Sequence, residues 1–191
     1  MIDSEEILEV FDRHNRMVGQ ASRGSIHRLG LRHRSVGILV FDAAGQLYLQ
    51  LRQGHKDCYP RHWDTSAAGH VSPGESYPAA AARELAEELG IQADLSLVGY
   101  LTASAATGWE HVALFECQTE VAPTPNPAEI EVGRFFTPAE LQQLFTDPEA
   151  AVTPSLRLCY RFWQERQRVE RKEEITFSLG SHVAPGNQGR K

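Results

Sequence analysis

The sequence has little sulfur and no sustained apolar run. Cys58, Cys117 and Cys159 are odd in number, far apart and form no CxxC pair, so neither a disulfide framework nor a thiolate zinc site is expected. No segment approaches the roughly 18 consecutive apolar residues needed to cross a bilayer. Residues 1–12 carry Asp3, Glu5, Glu6 and Glu9 without a basic flank or an apolar stretch, so no signal peptide is read there. The formal net charge of −6 gives no broad attraction to nucleic acid or anionic lipid. These absences lead us to expect a cytoplasmic protein with neither a nucleic-acid nor a membrane partner. Acid is also missing locally: between Arg13 and Phe41 there is no Asp or Glu, whereas Arg13, Arg16, Arg23, Arg28, Arg32 and Arg34 all fall there.

What is present is ordinary globular composition, with 41% apolar and 23% charged residues in 191, enough for one sizeable core. We expect a single domain over residues 1–175 and a mobile, Gly-rich polar tail over residues 176–191. Nothing in the composition sets the oligomeric state.

Residues 7–11 and 17–21 read as strands of an N-terminal hairpin around a polar turn containing Asn15. Residues 36–41 and 46–52 form a second hairpin, in which Leu47, Leu49 and Leu51 alternate with Gln46, Tyr48 and Gln50. A short strand over 66–71 ends at Pro73-Gly74. Pro78 suits a first helical turn and Gly90 the position just past a helix end, so residues 76–89 are bracketed as a helix. Strands over 95–103, 109–117 and 131–136 follow, with a proline-rich loop at 122–128, then helices over 138–145 and 154–171. Strands interleaved with few helices predict an α/β or α+β sandwich.

On the bracketed helix, Glu84, Glu87 and Glu88 stand at i, i+3 and i+4, which gathers three carboxylates on one edge. Pro78, Ala82, Leu85 and Leu89 occupy the opposite arc and are expected to pack. Like charges at this spacing destabilise a helix, and a cation is the natural compensation. An isolated cluster of this kind is more often a solvated surface with Arg83 paired to Glu87. Here the surroundings are specific. Gly69 is followed after five residues by Glu75, after seven more by Arg83-Glu84-Leu85, then by Glu87-Glu88 and Gly90-Ile91, one residue intervening each time. Seven fixed identities at fixed spacing arise by chance on the order of once in 10⁸ windows.

This pattern resembles the complete Nudix box, with no departure at a defining position. The resemblance implies a Nudix-like sandwich, a mixed central sheet flanked by helices, with the N-terminal β-hairpin as an extension. It implies Mg²⁺ or Mn²⁺ held by Gly69, Glu84, Glu87 and Glu88, and water attack on a phosphorus of a small-molecule diphosphate. Glu84 and Glu88 are the expected catalytic residues, and Glu75 and Arg83 a structural brace of loop on helix. Arg52, Lys56 and Arg61 are candidates for gripping the diphosphate.

The chain also resembles the branch of the family that includes isopentenyl diphosphate isomerase. The features are the N-terminal hairpin with His27 and His33, the run Leu49-Gln50-Leu51-Arg52, the run from Trp63 to His70, and Glu110. In that branch, residues matching His27, His33, His70 and Glu110 bind a divalent metal, which implies a second site here. The isomerases place a proton-transferring cysteine where this chain has Ala68. Hydrolysis of a nucleoside diphosphate or related compound is therefore expected first. Isomerisation, or a ligand-sensing module without turnover, are the alternatives.

Overall fold

The computed structural model describes residues 6–180, with side chains to residue 173. The chain divides into two compact units, residues 1–159 and 160–191. In the first, β1 (Ile7–Phe11) and β2 (Met17–Ser22) form an antiparallel hairpin. Its turn is locked by Asp12, whose carboxylate accepts from the backbone N–H of His14 at 2.8 Å and Arg16 at 3.0 Å, with Asn15 in the left-handed region at φ 60°.

A short helix α1 (Arg23–Leu29) follows, where the sequence had suggested no element. It has just one buried residue, Ile26, so no apolar periodicity announces it. Its ends are nevertheless signed: Ser22 caps the first turn and Gly30 terminates it at φ 61°.

The main sheet is built from β3 (His33–Phe41), β4 (Leu47–Arg52), β5 (Trp63–Asp64), β6 (Ala67–His70), β7 (Ser96–Leu101), β8 (Glu110–Gln118) and β9 (Ile130–Phe136). Five strands run in the order β5-β4-β3-β8-β7, β6 adds to β3, and β9 to β4. β3 and β8 are parallel and the other pairs antiparallel, which makes the sheet mixed.

The helix α2 (Tyr77–Leu89) begins at Ser76, whose side chain accepts from Ala79 N–H, and stops at Gly90 with φ 66°. The proline-rich loop folds back on its end: Thr124 N–H donates to Leu89 O at 2.8 Å and Asn126 N–H to Glu88 O at 2.8 Å. These bonds satisfy carbonyls that have no partner within the helix. The buried side of α2 differs from the expected arc. Pro78 and Ala82 are exposed, while Ala80, Ala81, Leu85, Leu89 and also Glu88 are buried. The helix is rolled so that its acid edge lies at the rim of the sheet. Its apolar stripe packs on Val36, Ile38, Val40, Ala113 and Phe115, the core of this unit.

α3 (Pro138–Thr146) opens with a reciprocal box between Thr137 and Glu140. α4 (Pro154–Gly180) runs beyond the expected end at Arg171, so residues 176–180 of the expected tail are helical, and residues 181–191 lie outside the described residues. The first two turns of α4 bury Leu156 and Cys159 in the first unit. In the second unit, Tyr160 and Trp163 stack at 5.7 Å between ring centroids.

Candidate active site

The chain entering α2 is fastened by two residues. Arg83 donates to both oxygens of Glu75, Nε to Oε1 at 3.0 Å and Nη2 to Oε2 at 2.9 Å, and its Nη2 also reaches His70 O at 3.0 Å. The guanidinium holds the Glu75 carboxyl below the usual carboxylate range. The same arginine touches Glu84 at 2.7 Å and Glu87 at 3.3 Å. Its single charge is thus shared among three acids.

Glu84 lies directly over Gly69. A Cβ at position 69 would stand 2.0 Å from Glu84 Oε1, so only glycine leaves room for that carboxylate. Glu88 is buried at 8% exposure. Its Oε2 accepts from Gln50 Nε2 at 2.8 Å and from Ala68 N–H at 3.2 Å. Burial and the nearby Glu84 push its carboxyl up to about 8, and burial raises Glu84 as well. Glu87 is exposed at the outer edge. Glu84, half-buried with a fractional share of one arginine, and Glu88, buried with only neutral donors on it, form an electrostatic deficit that a hard divalent cation fits.

A second cluster lies on the other side of β6. The register pairs His33 with Glu110 across β3 and β8, and Ser35 with His70 across β3 and β6. Because alternate residues share a face, His33, Glu110 and His70 converge, and α1 brings His27 above them. One ligand-type atom from each of the four lies within 4.8 Å of the others. His33 Nδ1 faces Leu31 O at 3.0 Å. A carbonyl can only accept, so Nδ1 carries a proton, and in that tautomer of the neutral ring Nε2 presents a lone pair. That Nε2 is buried without a hydrogen-bond partner, 3.6 Å from Glu110 Oε1. Burial, then the neighbouring His70, Arg23 and His33, drop His27 to about 4, which keeps it neutral near pH 7. Burial raises the Glu110 carboxyl, but the adjoining His33 and His70 outweigh it and leave it below its ordinary value. Three imidazoles, one orphaned lone pair and a carboxylate fit a borderline divalent ion.

Three consecutive residues of β6 serve the two clusters. Ala68 N–H and Gly69 meet Glu88 and Glu84, while the His70 ring joins the second group. Glu6, at the start of the described chain, adds a carboxylate oxygen 3.7 Å from His70 Nδ1 and 3.8 Å from Arg23 Nε. Neither Glu6 nor Gln50 was singled out from sequence as a site residue. Glu6 is distant along the chain, and Gln50 belongs to a strand whose alternation disguises its burial.

The three cations proposed for the diphosphate are already paired. Arg52 Nη1 bonds Asp64 at 3.0 Å and its Nε bonds Cys58 O at 3.1 Å; Lys56 meets Glu129; Arg61 meets Glu131 at 3.2 Å. Burial, followed by the Arg52 charge, lowers Lys56, with Glu88 and Glu84 acting against it. Lys56 therefore stands within electrostatic reach of the acid edge. Arg61 is 73% exposed at its side chain. Tyr59 and Arg61 both take positive φ, 51° and 55°, in the loop between β4 and β5. Trp63 packs on Phe136 at 4.8 Å, an aromatic core role. A separate cavity of about 260 Å³ lies at the N-terminal end of α2 among Asn15, Tyr77, Tyr100 and His111, where Tyr77 Oη and His111 Nε2 are already hydrogen-bonded.

Comparison with known proteins shows the family and the fold. The NUDIX domain family model matches residues 31–156, and the chain belongs to the Nudix family. It is 40% identical over 158 residues to an isopentenyl-diphosphate Delta-isomerase of Nocardia farcinica, covering 78% of this chain and 89% of the relative. It is 35% identical over 147 residues to an uncharacterised Nudix hydrolase of Streptomyces coelicolor, covering 74% and 80%. The crystal structure of DR0079 from Deinococcus radiodurans superposes with a TM-score of 0.72 at 27% identity, covering 82% of this chain and 98% of that one. A MutT protein of Methanosarcina mazei shares the fold, with a TM-score of 0.58 at 20% identity.

Proposed function

We propose that this protein hydrolyses a diphosphate linkage in a nucleoside diphosphate or related compound, using Mg²⁺ or Mn²⁺ at Gly69, Glu84, Glu87 and Glu88. The observation that carries the reading is the half-buried Glu84 seated over Gly69 beside the buried Glu88, which has only neutral hydrogen-bond donors. A divalent ion bound there would restore their ionised form, offset charge on the phosphate oxygens and make water more acidic. Water attacks one phosphorus, the bridging P–O bond breaks, and Glu84 or Glu88 takes the proton that water gives up. Glu75 and Arg83 brace the loop that carries the helix. Arg52, Lys56 and Arg61 supply the positive field for the substrate, Lys56 being the one within reach of Glu84 and Glu88. His27, His33, His70 and Glu110 hold a second ion. We also assign the protein to the cytoplasm: its three cysteines are free thiols, which suits a reducing compartment.

Isomerisation of a prenyl diphosphate is the second reading, favoured by the imidazole cluster and by the name of the Nocardia relative. The placement of the thiols speaks against it. Ala68 has no proton to transfer. Cys159 does pack near Gly37, which pairs with Ala68, but it is 1% exposed and burial pushes its thiol up to about 12. Cys117 is buried in the core beneath α2, and Cys58 is exposed in the β4–β5 loop. Ligand sensing without turnover is a third reading, against which the complete acid edge weighs.

One assay separates the readings. Phosphate or nucleotide release from a panel of diphosphates with Mg²⁺ or Mn²⁺ is the expected result. Deuterium uptake into a prenyl diphosphate without release would establish isomerisation, and binding without either product would establish sensing.

A further inference from the structure

We infer that Gln50 is a positioning residue for the metal-binding carboxylate of Glu88, deciding which of its two oxygens is left for the ion. The inference rests on the metal-site reading above and adds to it the residue that sets the ligand's orientation.

The alternation of β4 puts Gln50 on the same side as Tyr48, which belongs to the core beneath α2, and Gln50 is only 4% exposed. Its amide donates to Glu88 Oε2, and the Ala68 N–H donates to the same oxygen. Among the described residues both donors converge on Oε2, and Oε1 receives no hydrogen bond. A carboxylate turns easily about its last torsion, where the rotamer wells are broad. Two convergent donors remove that freedom and leave Oε1 as the coordinating atom.

The choice of an uncharged donor is informative. Glu75, at the start of the same helix, receives a bidentate arginine that cancels its charge. Glu88, near the other end, receives a neutral amide that orients it and cancels nothing. A lysine or arginine at position 50 would satisfy the buried acid and compete with a cation. Glutamine satisfies one oxygen and preserves the attraction for a divalent ion, as outer partners of metal ligands do.

The test titrates Mn²⁺ alone, by calorimetry, into chelator-stripped full-length protein, comparing wild type, Gln50→Met and Glu88→Gln. Met keeps the length and loses the donor. The component of binding that Glu88→Gln removes defines the site. In Gln50→Met that component should weaken by about 10- to 100-fold, and the Mn²⁺ concentration for half-maximal activity should rise in parallel. Gln50→Asn, whose amide is retracted by one methylene, should show the same loss of affinity from a polar residue and serves if the Met variant does not fold. A shifted melting temperature with unchanged Mn²⁺ affinity in both variants would make Gln50 merely structural and overturn the inference, leaving the metal site intact. If Glu88→Gln itself removes no Mn²⁺ binding, the metal-site reading fails and the inference falls with it.

Discussion

Glu88 shows what a single side chain can reveal and what it conceals. Its place in the acid edge is legible from i, i+3, i+4 spacing, but its burial is not, because the roll of α2 depends on which small residues the sheet admits. The consequence is a measurable pH dependence. An unfolded chain titrates this carboxyl near 4.5 and the metal-free fold near 8, so the folded state holds an extra proton in between. The stabilisation from burying the neutral acid is complete below about 4.5 and is lost as pH rises through about 8. Melting temperatures of chelator-treated protein should therefore fall across that window, and Glu88→Gln should flatten the slope. With metal present, Glu88→Gln or Glu87→Gln should lower turnover at least about 100-fold, since on the proposed site each removes a direct ligand and outer partners alone cost about 10- to 100-fold. Circular dichroism should show both variants folded. Gly69 gives a steric counterpart: Gly69→Ala pushes the Glu84 carboxylate from its seat, and crowding of this kind costs about 1–3 kcal/mol. Thermal unfolding and Mn²⁺ titration of that variant should both move, whereas a change in stability alone would separate Gly69 from the site.

At the scale of elements, legibility followed the strength of local punctuation. α2 was readable because Pro78 and Gly90 mark its ends, and β4 because leucine alternates along it. α1 went unread since Ile26 is its one buried residue, even though Ser22 and Gly30 mark its ends in the same manner. That omission concealed how His27 comes over His33 and His70, an arrangement that needs a helix between the hairpin and β3. The second cluster was suggested by family resemblance rather than by spacing. Its convergence depends on the parallel register of β3 and β8, which no local pattern encodes. The proline-rich loop was read as a connection, while the structure gives it the further task of bonding the last carbonyls of α2. Gly90 joins these roles, for its left-handed backbone lets the chain turn into that loop. Gly90→Ala should cost about 1–2 kcal/mol in chemical denaturation, the penalty for a Cβ in that conformation. Activity per folded molecule should be retained, because no acid of the site moves with it.

For the molecule as a whole, one short strand separates the two groups proposed to hold cations. The carboxylates of α2 approach β6 from one side, and the imidazoles with Glu110 from the other. The sheet is mixed because β3 must pair in parallel with β8 while taking β6 on its other edge, and those two pairings build the second group. Removing metal should abolish turnover, and Mg²⁺ or Mn²⁺ should restore it; activity that survives exhaustive chelation would show that the carboxylates serve another purpose. The most direct measurement is anomalous diffraction from Mn²⁺-soaked crystals. A manganese peak within coordination distance of the Glu84 and Glu88 carboxylates, lost in Glu88→Gln, is the predicted result. Density for manganese only among the histidines, or none at all, would contradict the account.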